Sequence, residues 1–269
     1  MLLYGKWSKL VVHLHGGAGF EKLLKIKFLS LINIYFLSKF KSVILLGAVQ
    51  KKIFLNHYNC HNVSVVPNFS LNELFISSEK MNIKFSSREK IKVLFLSNLI
   101  SGKGYIELIN GFLSLDDKYK SKMELNFAGG FADNDSKNIF LKLIDAHSNI
   151  IYHGIVSGEY KSNLFFDNHI FCLPTYYPFE GQPISILEAY ASGCFVITTN
   201  HSGIPDIFSN CVNGISVEIK SSDSLNKALV HCVDNFSFIE SIGRSNHFYA
   251  IEKFSLNTYN LSLYNLICY

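Results

Sequence analysis

Short apolar runs punctuate this chain and alternate with longer stretches of helical spacing. Leu10–Leu14 (LVVHL), Lys41–Leu46 (KSVILL) and Val63–Val66 come first. Ile91–Leu96 (IKVLFL), Glu124–Ala128, Ile150–His153, Ile170–Leu173, Phe195–Thr198 and Gly214–Val217 follow. Continuous apolar runs bounded by turn residues predict strands buried on both faces. Between them, the periodicity predicts helices over Glu21–Leu37, Val49–Asn56, Gly104–Leu113, Asp135–Ala146, Glu159–Phe166, Ile184–Ala191 and a short one at Gly203–Phe208. Ser222–Asn235, Phe238–Tyr249 and Ser255–Ile267 read as helices that close the chain. Alternating strands and helices imply a parallel α/β sheet covered on both sides. The polar stretch Ser70–Lys90 interrupts this rhythm and reads as a linker.

Composition narrows the class. At 269 residues and 48% hydrophobic, the chain can bury one large core or two smaller ones. Its charged fraction of 17% is too low for a disordered chain. The net charge of +4 does not itself point to nucleic acid. Its distribution is uneven. Lys6, Lys9, Lys22, Lys25, Lys27, Lys39, Lys41, Lys51 and Lys52 face only Glu21 as an acid in the first 52 residues. That asymmetry suggests an anionic surface at one end, such as the inner face of a membrane. The apolar region Leu23–Val49 contains four lysines, so it is read as a surface-lying or core-facing helix and not as a span. The six cysteines stand singly, which predicts a reducing, cytoplasmic setting with no disulfide framework.

Three loops at predicted strand ends carry candidate chemistry. Ser97–Gly104 (SNLISGKG) sets Lys103 between glycines at a strand-to-helix turn. Lys103 either reaches an anion there or is a solvated lysine at a helix start. Pro174–Pro183 (PTYYPFEGQP) leads into a helix starting at Ile184 and places Glu180 at its tip. Pro183 suits a helix start, where the following N–H groups face an anion. Glu188 lies just over one turn inside the helix, either solvated or in contact with a ligand. On a continuous helix the two carboxylates stand ~12 Å apart along the axis. A hydrolase pair needs roughly 5–9.5 Å across a cleft. Two separate contacts to one elongated ligand fit better. Ile184, Leu187, Tyr190 and Ala191 are the expected buried stripe of that helix. His15 ends the first strand before Gly16-Gly17, as a cleft-facing or structural imidazole. His57, Cys60 and His61 lack a second cluster, so no metal is expected. The absence of GxGxxG after a strand argues against a dinucleotide oxidoreductase.

The stretch PFEGQPISILEAYASGCFVITTNHSGIPDIFSNCVNGISVE resembles the signature of the family 4 retaining glycosyltransferases. The matching features are Glu180, Glu188-Ala189, Ser192-Gly193, Gly203–Asp206 and Asn213-Gly214. VLFLSNLISGKGYIELINGF (Val93–Phe112) and VVPN (Val65–Asn68) extend the likeness over roughly residues 10–269.

The resemblance implies an α/β, GT-B-like fold. Residues 1–75 would form a truncated N-terminal Rossmann-like, acceptor-side domain. Residues 76–250 would form a complete C-terminal nucleotide-sugar-binding domain. Residues 251–269 would be a helix crossing back. It further implies that Glu188 bonds the ribose hydroxyls of a nucleotide-sugar donor and that Glu180 contacts the transferred sugar. The backbone of Gly181, Gln182, Pro183 and Ile184 would approach the sugar and diphosphate. Lys103 would neutralise the departing diphosphate, and His15 would lie beside the reacting sugar. Asn98 stands where the family usually has an arginine, so Lys103 would bear more of the charge. No metal or other cofactor is implied. The expected reaction is transfer to a glycan or lipid-linked acceptor in bacterial surface polysaccharide synthesis, lipopolysaccharide included. The alternative is a truncated donor-binding remnant without turnover.

Overall fold

The computed structural model describes residues 10–15, 35, 37–58, 61–86 and 89–268. The expected helix Glu21–Leu37 falls almost wholly outside them, as do the glycine turn after His15, the lysines before Leu10, and Cys60.

Two parallel sheets organise the described chain. The smaller holds β1 (Val11–Leu14), β2 (Ser42–Leu45) and β3 (Val63–Val65), in the order β1-β2-β3. The larger holds β4 (Ile91–Leu96), β5 (Met123–Ala128), β6 (Ile150–Tyr152), β7 (Ile170–Leu173), β8 (Phe195–Thr199) and β9 (Gly214–Val217). Its order is β6-β5-β4-β7-β8-β9, with every pairing parallel. The chain steps outward from β4 to β6, returns beside β4 as β7, and steps outward the other way. The order therefore reverses between β4 and β7. In such sheets ligands bind beyond the strand carboxyl ends at that switch point.

Helices cover the sheets: α1 (Ala48–His57), α2 (Ser78–Ser86), α3 (Tyr105–Leu113), α4 (Asn134–Ile144), α5 (Gly158–Asp167), α6 (Ile184–Ala191), α7 (Ser222–Asp234), α8 (Phe236–Lys253) and α9 (Leu256–Cys268). Helices on both faces bury β7 completely, which is why its sequence is a continuous apolar run. One large apolar cluster surrounds the six-stranded sheet. A small one, Val43, Leu45, Phe54, Tyr58 and Val63, lies under the other.

The stretch Ser70–Lys90, read as a linker, lies between the two sheets but is not structureless. Part of it is α2, which buries Met81, Lys84 and Phe85 on one face. Spacing of three and four residues builds that face, but one of its members is a lysine. The Lys84 ammonium donates to the carbonyls of Phe165 (2.8 Å) and Ser192 (2.9 Å). Burial lowers its pKa. The expected stripe of α6 is corrected. Ile184 is 48% exposed, whereas every residue from Ile186 to Ala191 is buried. The helix is enclosed on nearly all sides, so it has no single apolar stripe.

The final helix meets the smaller sheet's side of the molecule. Ser70 N–H donates to the Phe254 carbonyl (2.8 Å) just before α9 begins. Tyr259 lies 4.5 Å from the ring of Phe69 and 6.3 Å from that of His13, between centroids. Lys41 Nζ donates to the Ile267 carbonyl at 2.5 Å. Among the described residues, no helix is long and apolar enough to cross a membrane.

Candidate functional site

The two loops that flank the switch point meet. The loop after β4 needs glycine at two places, because Gly102 and Gly104 have φ of +92° and +81°. A Cβ at Gly104 would stand 2.3 Å from the Pro174 carbonyl oxygen, in the loop after β7. Gly102 accepts from Tyr176 N–H at 2.7 Å and zips the loops together. The result brings Lys103 Nζ to 2.7 Å from Glu180 Oε2, with side chains 12% and 8% exposed. Thr175 Oγ1 donates to the same carboxylate oxygen at 2.8 Å. The ammonium also lies 4.9 Å from the Tyr177 ring centroid. An ammonium has three N–H donors, so Lys103 can hold Glu180 and still meet an anion.

Glu188 is buried, at 4% exposure, and accepts from Lys161 Nζ of α5 at 2.6 Å. The solvated reading of Glu188 is therefore excluded. A buried carboxylate with one paired oxygen keeps further lone pairs for hydroxyl donors. Glu180 and Glu188 thus occupy separate, independently compensated places, not one shared acid–base pair.

The end of β8 and the loop after it support the Glu180 loop from behind. Thr199 Oγ1 donates to the Thr175 carbonyl (2.5 Å) and His201 Nε2 to the Tyr177 carbonyl (2.9 Å). Ser202 Oγ donates to the Glu180 carbonyl. Gly203 lies against Gly181, where a Cβ would approach the carbonyl oxygen to 2.6 Å. Gln182 is buried, and its side chain turns to the smaller sheet. Oε1 accepts from Asn68 N–H (2.7 Å) and Nε2 donates to the Leu46 carbonyl (3.1 Å). Pro183 is the N-cap of α6, and Ile184 opens it with an exposed side chain.

Asn98 is exposed at the start of the Lys103 loop. His15 is exposed just beyond β1, its ring 4.1 Å from that of His13. Leu14 is in register with Leu45, so His15 follows at the same end of the smaller sheet as Leu46. It therefore shares a sheet edge with the carbonyl that Gln182 holds. Burial and the neighbouring His15 lower the pKa of His13.

A cavity of about 500 Å³ opens beside the Lys103 loop, lined by Leu99, Gly102, Tyr105, Glu107, Asp133 and Tyr176 among others. Tyr176 Oη donates to Glu107 Oε1 at 2.8 Å. Burial and that carboxylate push its pKa up to about 12. Among the described residues, no group of three or more His, Cys, Asp or Glu is placed to hold a metal ion.

Lys161, Thr175, Tyr177 and Asp206 are the residues that sequence reasoning did not single out as partners. Thr175 and Tyr177 lie in a loop the sequence marks. Lys161 carries no local signal, because it is one lysine in the first half of a surface helix.

Two parallel α/β sheets, with the Lys103–Glu180 pair at the switch point of the larger, define a GT-B-like fold. The family described as "Glycosyl transferases group 1" matches residues 77–238, and the chain belongs to it. The uncharacterized glycosyltransferase MJ1607 of Methanocaldococcus jannaschii is 26% identical over 180 residues, covering 66% of this chain and 45% of that protein. An uncharacterized 41.2 kDa protein in the cps region of Klebsiella pneumoniae is 26% identical over 147 residues, 55% of this chain and 38% of its own. Among solved structures, Anabaena HepE in complex with UDP-glucose has a TM-score of 0.78 at 17% identity, over 96% of this chain and 72% of that one. The chain thus spans less than half of either of these curated relatives.

Proposed function

We propose that this chain binds a nucleotide-diphosphate sugar and serves a family 4 retaining glycosyltransferase reaction. The acceptor is a glycan or lipid-linked glycan of a surface polysaccharide, lipopolysaccharide included. The observation that carries the reading is the Lys103–Glu180 pair at the switch point of the larger sheet. The cps-region relative and the UDP-glucose-bound structural neighbour support the donor and pathway class. Residues 1–75 serve the acceptor side, 76–250 the donor and 251–269 the return crossing. No metal takes part in this proposal.

The roles are those that the family resemblance implies, and the Lys103–Glu180 and Lys161–Glu188 pairs support them. Glu188 accepts from the ribose hydroxyls on its lone pairs beyond Lys161. Glu180 accepts from hydroxyls of the transferred sugar. Lys103 and the first turn of α6, after Gly181, Gln182 and Pro183, face the diphosphate, with Asn98 as an uncharged donor nearby. Fixed positive charge stabilises the leaving diphosphate in a site that water enters poorly. The bond from the anomeric carbon to the phosphate oxygen breaks. The acceptor oxygen bonds that carbon from the same face and passes its proton to the departing phosphate. His15, across the cleft, lies on the acceptor side. The basic N-terminal segment rests on the inner membrane surface.

Calorimetry with UDP and UDP-glucose tests the donor site, and transfer of labelled glucose to lipid-linked glycan tests turnover. Absence of binding in both titrations overturns the reading. Binding without transfer favours the second reading, a donor-binding chain without turnover.

A further inference from the structure

Asp206 ends the short turn Ile204–Asp206 that follows β8. Its carboxylate nevertheless accepts from Val49 N–H, at 3.0 and 3.2 Å, in the first turn of α1. The N-cap of that helix is Gly47, which has extended backbone (φ −161°) and no side chain to cap it, and the first turn carries no acidic residue. The approach itself requires glycine. A Cβ at Gly47 would stand 2.0 Å from Asp206 Oδ2. A helix start offers free N–H groups and partial positive charge, and a carboxylate satisfies both. Here that carboxylate comes from the other sheet's domain.

The same block of chain makes a second tie. Gln182 accepts from Asn68 N–H and donates to Leu46, and Asn68 Nδ2 returns a bond to the Gln182 carbonyl at 3.0 Å. Leu46 directly precedes Gly47. Ser202 and Gly203 pack on the carbonyls of Glu180 and Gly181. Residues 180–182 and 202–206 therefore form one unit, which carries Glu180 and also grips the smaller domain.

We propose that Asp206 is a positioning residue. It caps α1 across the domain boundary and, with the Gln182–Asn68 tie, latches the two domains so that the Glu180 loop is held in register with the opposite edge of the cleft. Only the consequence for Glu180 rests on the donor-site reading; the latch itself does not.

The test compares the full chain with Asp206→Ala and Asp206→Asn by hydrogen exchange and small-angle X-ray scattering. Loss of a cap predicts about five- to tenfold faster exchange in Asp206→Ala at amides 48–51, with an increased radius of gyration. Amides of β7 and β8 keep their wild-type rates. Asp206→Asn keeps one acceptor, so it falls between the two and guards against an alanine variant that does not fold. Wild-type exchange at 48–51 and an unchanged radius in Asp206→Ala overturn the latch. So does uniform acceleration that includes β7 and β8, which marks a general stability role. UDP affinity stays within about twofold of wild type, because Lys103, Glu180 and Glu188 are untouched. Failure of wild-type protein to bind UDP overturns the donor reading, while exchange and scattering still decide the latch.

Discussion

Lys103 and Glu180 are 77 residues apart in sequence and largely withdrawn from water together. Removing one partner of such a pair strands the other charge and costs about 3 kcal/mol, whereas removing both costs much less. Urea unfolding of Lys103→Met, Glu180→Gln and the double variant is expected to show that non-additivity. Lys103→Met should also weaken UDP at least about tenfold while leaving uridine binding unchanged, by calorimetry. Equal losses for both ligands refute a phosphate role. His169 offers a second test. Its Nδ1 accepts from Lys92 N–H (3.1 Å) and its Nε2–H donates to the Lys84 carbonyl (3.0 Å), so only the neutral ring fits. Burial, and then the charge of Lys84, lower its pKa from 6.5 to about 4. The unfolded state takes up this proton first as pH falls. The neutral-ring contribution is present above 6.5 and is lost between 6.5 and about 4, roughly 3 kcal/mol in all. Urea midpoints measured from pH 7 to 4.5 should therefore fall less steeply in His169→Gln.

Among the elements, the loops after β4 and β7 depend on each other's backbone. Gly104 is left-handed and faces the Pro174 carbonyl, so Gly104→Ala combines an unfavourable φ with a backbone clash. A loss of about 2–3 kcal/mol is expected in chemical denaturation, with weaker UDP binding because Lys103 is the adjacent residue. The element most poorly written in the sequence is α2. Only three of its nine residues are buried, and Lys84 among them looks like a solvent position. The strands were legible because burial on both faces leaves a continuous apolar run. The helix limits were less so: α8 runs Phe236–Lys253, longer than its apolar pattern Phe238–Tyr249, with Phe236 and Ala250 packed on the core beyond it. Lys84→Met should leave the Phe165 and Ser192 carbonyls without their donor and destabilise the fold by about 3 kcal/mol, measured by thermal or urea unfolding.

Across the whole molecule, the apolar clusters of the two sheets differ among the described residues. The one at the smaller sheet includes Val43, Leu45, Phe54, Tyr58 and Val63, and the one at the larger spans all six of its strands. Native-state hydrogen exchange should show lower protection in β1, β2 and α1 than in β4, β5, β7 and β8. Equal protection throughout would mean that the interdomain ties merge the two into one cooperative unit. The sequence by itself determined the strands, the glycine loops at their ends and the motif from Glu180 to Gly214. All of these are local, set by backbone sterics and by continuous apolar runs bounded by turn residues. Only the tertiary structure decided which charges meet. Lys103 on Glu180, Lys161 on Glu188, and Asp206 on the start of a helix 157 residues earlier are contacts made through space. Hydrogen bonds and Coulomb forces act over a few ångströms regardless of chain separation, so no local pattern records them.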